Sequence, residues 1–247
     1  LSLFAEAVDF DNFLPKQRIL INFGSSSWLI SLIEEAVDIV GTHTYADINH
    51  NANWDALKVA ANGKPVWVTE SANLQSTDQS MTDAANYIKW ILRGFNEGGV
   101  TAYMLHLFYE EADNNGYSSL VAWTPTGQII LPKRYYTFKH FTNLVKKGYS
   151  LINSSSSEDD QIYVGAFISE DESEIVLQVF NEGDERDFSV DIPFGGTSFE
   201  RFLTSNSSAD EFSSQGSIDI DYSNRYFTTL LPELSLTSFV FNICLLY

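Results

Sequence analysis

Gly63-Lys64-Pro65-Val66-Trp67-Val68-Thr69-Glu70 is the stretch from which this chain is read. A Gly-Lys-Pro turn feeds three apolar residues, and the run ends on a carboxylate followed by small and polar residues. A continuous apolar run bounded by turn signals reads as a strand buried on both faces, as in a parallel sheet. An ionised carboxylate at the end of such a strand is costly unless the chain emerges there into a polar cleft. In α/β barrels the carboxyl ends of the strands form that cleft, and acids placed there tend to be catalytic. Glu70 is therefore either a reactive acid or a solvated first-loop glutamate, and the stretch by itself leaves both open.

Working outward, Ile19-Leu20-Ile21-Asn22-Phe23 and Val37 to His43 read as two earlier strands, with a Ser-capped helix from Trp28 to Glu35 between them. Trp54, Leu57, Val59 and Ala60-Ala61 suit a helix that Gly63 ends in left-handed geometry. After Glu70, apolar residues from Ala84 to Phe95 recur at helical spacing, with Thr82 or Asp83 at the start and Gly98-Gly99 at the stop. Val100 to His106 predicts a fourth strand, followed by a long polar loop with Glu110, Glu111 and Asp113. Lys133 to Lys147 predicts an amphipathic helix stopped at Gly148. Strands alternating with helices argue βα units and a parallel sheet. Four units suit half of an eight-stranded barrel or an open doubly wound sheet. No glycine-rich phosphate loop follows any strand, which leaves a nucleotide fold unsupported.

Beyond Gly148 the pattern changes. A Ser-rich linker, Leu151 to Asp160, precedes short segments of period two: Ile162–Phe167, Ile175–Phe180, Phe188–Ile192, Ser217–Asp221 and Ser238–Phe241. Turn-rich clusters separate them, and this grammar predicts an antiparallel β-sandwich. The expected organisation is residues 1–148 as a partial (β/α)8 barrel and 149–247 as a β-sandwich that also packs the chain's ends.

Bulk properties exclude several classes. The 247 residues suffice for one large or two ordinary domains. A net charge of −19, much of the acid lying in the last third, repels phosphate backbones and argues against nucleic-acid binding. Cys244 is the single cysteine, so neither a disulfide framework nor a thiolate cluster is expected. No run reaches membrane-spanning length, and Leu1-Ser2-Leu3-Phe4 lacks the basic start of a signal peptide. The missing initiator Met suggests a chain that starts inside something larger or after processing. Sequons at Asn153 and Asn206 fit a secreted protein, although Ser-rich loops also produce them by chance.

Three strands end on something chemically useful: His43 with Tyr45, then Glu70, then His106. In a barrel these ends converge on one mouth. A glutamate there can attack an anomeric carbon when a second carboxyl protonates the leaving oxygen. A tyrosine from the neighbouring strand can donate a hydrogen bond to such a nucleophile. Trp123, or Trp67 if it turns inward, offers a face on which sugar rings can stack. Each residue has a plainer reading: His43 as a core histidine, Trp67 as packing between layers, Glu110 and Glu111 as solvated loop charges. His43, His50, Glu70 and His106 lack the i,i+4 pairing of metalloprotease helices, so no metal is expected, and no cofactor either.

The order of these features resembles glycoside hydrolase family 30, within the retaining clan A of (β/α)8 barrels. Asp38-Ile39-Val40-Gly41-Thr42-His43-Thr44-Tyr45 is similar to the sixth barrel strand, and Pro65 to Glu70 to the seventh, whose terminal Glu is the family nucleophile. Lys133-Arg134-Tyr135-Tyr136 through Phe141, with Lys147-Gly148-Tyr149, resembles the helix leading into the family's attached sandwich. The resemblance implies a retaining β-glycosidase acting on a polysaccharide, with Glu70 as nucleophile and His43, Tyr45, His106 and Trp123 around the substrate. It also exposes two departures. The family's acid/base, a Glu after an Asn on the fourth barrel strand, has no counterpart here, since Asn96-Glu97 follows the nucleophile strand at a helix end. Relatives often end the eighth strand in Trp, where this chain has His106. The chain then corresponds to the C-terminal half of such an enzyme, with two parallel edge strands unpaired, and is expected to be inactive and association-prone alone. A non-catalytic carbohydrate-binding protein on the same scaffold is the alternative, and a purely structural sandwich-bearing module a third.

Overall fold

The computed structural model describes residues 7–9, 18–21, 37–45, 53–73, 78–112, 118–156, 161–191, 196–220 and 226–243. Sequence expectations that fall on Phe23, the Trp28–Glu35 helix, Asp47, His50, Asp113, Cys244 or the first residues lie outside them.

A five-stranded sheet runs in the order β1 (Ala7–Asp9), β2 (Arg18–Ile21), β3 (Ile39–His43), β4 (Val66–Glu70), β5 (Val100–Tyr103). From β2 to β5 every pairing is parallel, as the apolar strands predict, whereas β1 is antiparallel to β2. The edge beside β2 is thus closed by an antiparallel strand, which corrects the expectation of two parallel edges.

Helix α1 (Trp54–Ala61) joins β3 to β4. Asn53 caps its start by accepting from the Ala56 amide at 3.0 Å. Its end carries two left-handed residues, Asn62 (φ 49°) and Gly63 (φ 82°), one more than expected. Pro65 then accepts from the Val40 amide at 2.9 Å, so the Gly-Lys-Pro turn sets β4 directly against β3. Val66 and Val68, with Val40, Trp54 and Val100, bury the side of the sheet that α1 covers.

Helix α2 (Met81–Asn96) begins one turn-position earlier than expected. Ser80, not Thr82 or Asp83, is the cap, its hydroxyl accepting from the Thr82 amide. Asp83 is instead buried and paired with Arg134 at 2.6 Å. At the far end Gly98 passes so close to α1 that an added Cβ would lie 2.5 Å from the Trp54 ring. β5 is shorter than the predicted Val100–His106 run, yet the chain past it stays zipped to its neighbour: Met104 N bonds Val68 O at 2.9 Å and His106 N bonds Ser71 O at 3.0 Å.

The predicted polar loop contains a small sheet, β6 (Tyr109–Glu111), β7 (Val121–Trp123) and β8 (Ile129–Ile130). Helix α3 (Lys133–Thr142) stops before the expected Lys147. Thr142 Oγ1 there bonds Phe138 O at 3.3 Å, side-chain competition that suits a helix end.

The remainder is β9 (Ser150–Ile152), β10 (Ile162–Ile168), β11 (Glu174–Asn181), β12 (Arg186–Asp191), β13 (Gly196–Thr204), β14 (Glu211–Asp219), β15 (Tyr226–Leu231) and β16 (Ser235–Ile243). Six of them form one antiparallel sheet, β14-β13-β16-β11-β10-β9, and β12 pairs with β15. Sequence periodicity passed over β13, where register shifts at Glu200/Phe202 and Leu203/Thr204 break the alternation. It also passed over β15 and assigned β9 to the linker.

The six-stranded sheet is covered on both faces. Ile175 and Val179 of β11, with Phe239 and Phe241 of β16, join Val190 and Leu231 on one side. Phe180 of β11 and Leu236 of β16 pack on the other side against Ile88, Ile91 and Leu92 of α2 and Phe141 of α3. Truncating fully buried Leu236 to Ala would cost about 2–5 kcal/mol. Polar ties cross the same seam: Lys89 to Glu182 at 2.5 Å and Asn96 Nδ2 to Val164 O at 2.7 Å.

Candidate active site

The carboxyl ends of β3, β4 and β5 lie side by side, and the parallel register places His43 opposite Glu70. A register shift between Thr42 and His43 produces this pairing, and Thr69 uses its hydroxyl to bond Thr42 O at 3.3 Å. Thr44 N then bonds Glu70 O at 3.1 Å, which carries the chain across the strand end to Tyr45.

Tyr45 donates its hydroxyl proton to Oε2 of Glu70. His43 Nδ1 approaches the same oxygen at 3.7 Å. The other carboxylate oxygen, Oε1, carries neither contact. The Glu70 side chain keeps 39% of its exposure, so the carboxylate is open to solvent on one side while held on the other. Burial pushes the Tyr45 hydroxyl above its ordinary pKa of 10, and the hydrogen bond and negative charge of Glu70 push it further the same way. Tyr45 is therefore a proton donor at any neutral pH. Its ring meets His43 edge-on at 5.4 Å and His106 edge-on at 6.2 Å. Four of the five sequence-predicted residues, His43, Tyr45, Glu70 and His106, thus form one group drawn from three strands.

Trp123 stands differently. It lies on β7, with its ring 5.5 Å from that of Tyr109, which in turn meets Phe108 at 6.3 Å. Phe108 and Tyr109 are 62% and 58% exposed, so these rings make an aromatic ledge on the segment that follows β5. Glu110 is not a free loop charge: it accepts from the Ser118 amide and, at 2.7 Å, the Ser119 amide. Asn96 and Glu97 lie at the opposite end of α2 from this group, Glu97 paired with Arg93 at 2.9 Å. Among the described residues no group of three or more His, Cys, Asp or Glu is placed to hold a metal ion.

A hydroxyl chain beside the site escaped the sequence reading. Thr44 Oγ1 and Tyr103 OH lie 3.0 Å apart, and Tyr103 OH donates to Ser71 Oγ at 3.0 Å. These bonds tie β3, β5 and the first residue after Glu70 together, so the strand ends hold their relative heights. The only signal in sequence was position: Thr44 and Ser71 come one residue after expected strand ends, and Tyr103 lies within the expected fourth strand. A cavity of about 760 Å³ opens between the six-stranded sheet and β12, lined by Ile162, Ile175, Phe188 and Phe241 among others, and includes none of the candidate residues.

No family model matches the chain. Among curated proteins, glucuronoxylanase XynC of Bacillus subtilis is 26% identical over 213 residues, covering 83% of this chain and 46% of that protein. A family 30 endoxylanase from Clostridium papyrosolvens C71 superposes with a TM-score of 0.64 at 21% identity, over 84% of this chain and 50% of that one. The chain is similar in sequence to this glucuronoxylanase and shares the fold of glycoside hydrolase family 30 structures. A second family 30 structure, the subfamily 8 xylanase Xyn30A of Clostridium acetobutylicum, gives a TM-score of 0.66 at 22% identity, over 85% and 49% of the two chains. The chain spans about half the length of the relatives it matches.

Proposed function

We propose that this chain is the nucleophile-bearing half of a retaining β-glycoside hydrolase that acts on a polysaccharide. The observation that carries the proposal is the convergence of Tyr45 and His43 on one oxygen of Glu70, at the carboxyl end of a parallel strand. With Oε2 held, Oε1 is the attacking atom: it bonds to the anomeric carbon as the glycosidic C–O bond breaks. The leaving oxygen takes a proton from a second carboxyl, and water later releases the sugar from Glu70. His43 and His106 border the sugar ring, and the Phe108–Tyr109–Trp123 ledge offers faces for further units.

In this reading β2 to β5 are the last four strands of a (β/α)8 barrel. The second carboxyl comes from the other half, because Glu110 is engaged by its own loop and Asp83 by Arg134. Intact substrate is then not turned over by these residues alone. The exposed sequons Asn153 and Asn206 support a secreted protein.

An activated 2-deoxy-2-fluoro-β-xylosyl or glucosyl ligand with a dinitrophenolate leaving group tests the nucleophile, since such a group departs without an acid. The expected result is a covalent sugar adduct on the peptide containing Glu70, absent in Glu70→Gln. Labelling elsewhere, or unchanged labelling of Glu70→Gln, removes Glu70 from the mechanism. The engagement of Glu110 and Asp83 also favours a second reading, a carbohydrate-binding protein on the same scaffold. Sugar binding without any labelling would select it.

A further inference from the structure

We infer that Asn73, Asp83 and Arg134 form a brace that fixes the span between Glu70 and the aromatic ledge, and so act as positioning residues for the glycan. This rests on the sugar-cleft reading above. Asn73 lies shortly past Glu70, and its side-chain amide donates to Asp83 Oδ1 at 2.7 Å. The other oxygen of Asp83 accepts from Arg134 at 2.6 Å, and Nε of the same guanidinium donates to Ser119 O at 2.8 Å. A second route runs beside the first. The Asn73 backbone amide donates to the Tyr87 hydroxyl at 2.9 Å, and that hydroxyl reaches Ser118 O at 3.5 Å.

Both routes end at the foot of the ledge. Glu110 accepts from the Ser118 and Ser119 amides, which fastens these serines to the residue after Tyr109. Leu120 N bonds Leu107 O at 3.1 Å and Val121 N bonds Phe108 O at 2.8 Å, so the strand that bears Trp123 is laid against Phe108. At the other end, Ser71 accepts from the His106 amide on its carbonyl and from Tyr103 on its hydroxyl. The chain leaving Glu70 is thus tied at its first residue and again at Asn73.

Burial makes the brace stiff. Arg134 is 1% exposed and Asp83 3%, and the guanidinium also donates to Asp78 O at 3.2 Å and lies over the Tyr87 ring. A buried ion pair is often no more stabilising than apolar residues of the same volume, although breaking one is costly. What such a pair adds is geometry: a planar guanidinium donates in fixed directions and sets the distance between the segments it joins. Here those segments are the loop after the nucleophile strand and the base of the ledge.

The test is calorimetric binding of xylo- and cello-oligosaccharides of two and six units to the chain and to Asn73→Ala. Asn73 is half-buried, and the exchange removes a single side-chain donor. The six-unit sugar should lose about tenfold more affinity than the two-unit sugar, the worth of one misplaced stacking ring. Tyr87→Phe, which cuts the second route, should act in the same direction. In a Trp123→Ala background Asn73→Ala should cause a smaller length-dependent loss, because a ring that the brace aims is gone. Equal losses at both lengths, no loss, or an undiminished loss in the Trp123→Ala background overturn the inference and leave the network a support for folding. A chain that binds six units no better than two, while the activated glycoside still labels Glu70, also overturns it. The glycosidase reading stands in each of these cases. Binding of neither length, with no labelling of Glu70, overturns the sugar-cleft reading and the inference together.

Discussion

Glu70 is a carboxylate held on one oxygen by two neighbours, Tyr45 and His43. Tyr45 fixes Oε2 and cannot give up its proton at neutral pH, so the bond persists whatever the state of the histidines. Tyr45→Phe keeps the ring between His43 and His106 and removes only the donor. We expect labelling by the activated fluoro-glycoside to slow about 10–100-fold, with ligand affinity nearly unchanged. An unchanged rate would reduce Tyr45 to packing. The residues of this group were legible in sequence because each ends, or directly follows, an apolar strand, where a polar side chain has few reasons to be. The Thr44–Tyr103–Ser71 chain was not legible: hydroxyls on strands are common, and only the register that aligns three strands shows that they meet. The ledge partners of Trp123 were hidden for a similar reason, since Phe108 and Tyr109 join it through a small sheet that the polar composition of the loop obscured.

At the scale of elements, the joint between α3 and the six-stranded sheet contains a buried titratable group. His140 is fully buried, with Nδ1 2.5 Å from Ser238 Oγ and Nε2 2.9 Å from Thr204 Oγ1. Gln178 closes the set by donating to the His140 carbonyl at 2.8 Å. Burial, with the charge of Lys139 added, pulls the imidazole from its ordinary 6.5 down to about 3. Below pH 6.5 the unfolded chain binds a proton that the folded chain refuses, so stability rises with pH in that window. This contribution is complete above pH 6.5 and is lost as pH falls towards 3. Denaturant unfolding at a series of pH values should show a slope of up to about 1.4 kcal/mol per pH unit from this residue. His140→Gln should lose that slope whatever its own stability, and an unaltered slope would show that other groups cause the acid sensitivity. Element types were easier to read than limits. The parallel strands announced themselves as apolar runs, but the end of α3 depended on the local competition of Thr142 for a carbonyl. Bulges hid β13 by breaking the alternation that marks a strand.

For the whole molecule, the open side of the five-stranded sheet dominates. β1 shields the β2 edge, while β5 is the other end of the strand order. An unpaired parallel edge invites pairing with another chain, and a net charge of −19 opposes it through mutual repulsion. We expect the 247-residue chain to self-associate reversibly, more so as salt screens its charge. Sedimentation velocity across concentration and ionic strength measures this, and a monomer under all conditions would argue against an exposed β5 edge. The change from helix-strand alternation to a run of strands near Gly148 was legible in sequence. What sequence did not show is how strongly the parts share a core, because the contacts of Phe180 and Leu236 with α2 join residues far apart in the chain.

That shared core bears on inheritance and on grafting. A cut at Gly148 separates two grammars of sequence, yet it strips one face of the large sheet of its helical cover. Moved alone onto a foreign scaffold, residues 149–247 would present Phe180, Leu236 and the His140 partners to a surface not shaped for them. The exchangeable cassette is the six-stranded sheet and the β12–β15 pair together with α2 and α3. Since α2 is the next helix after the Glu70 strand, the six-stranded sheet and Glu70 would travel through evolution as a single piece.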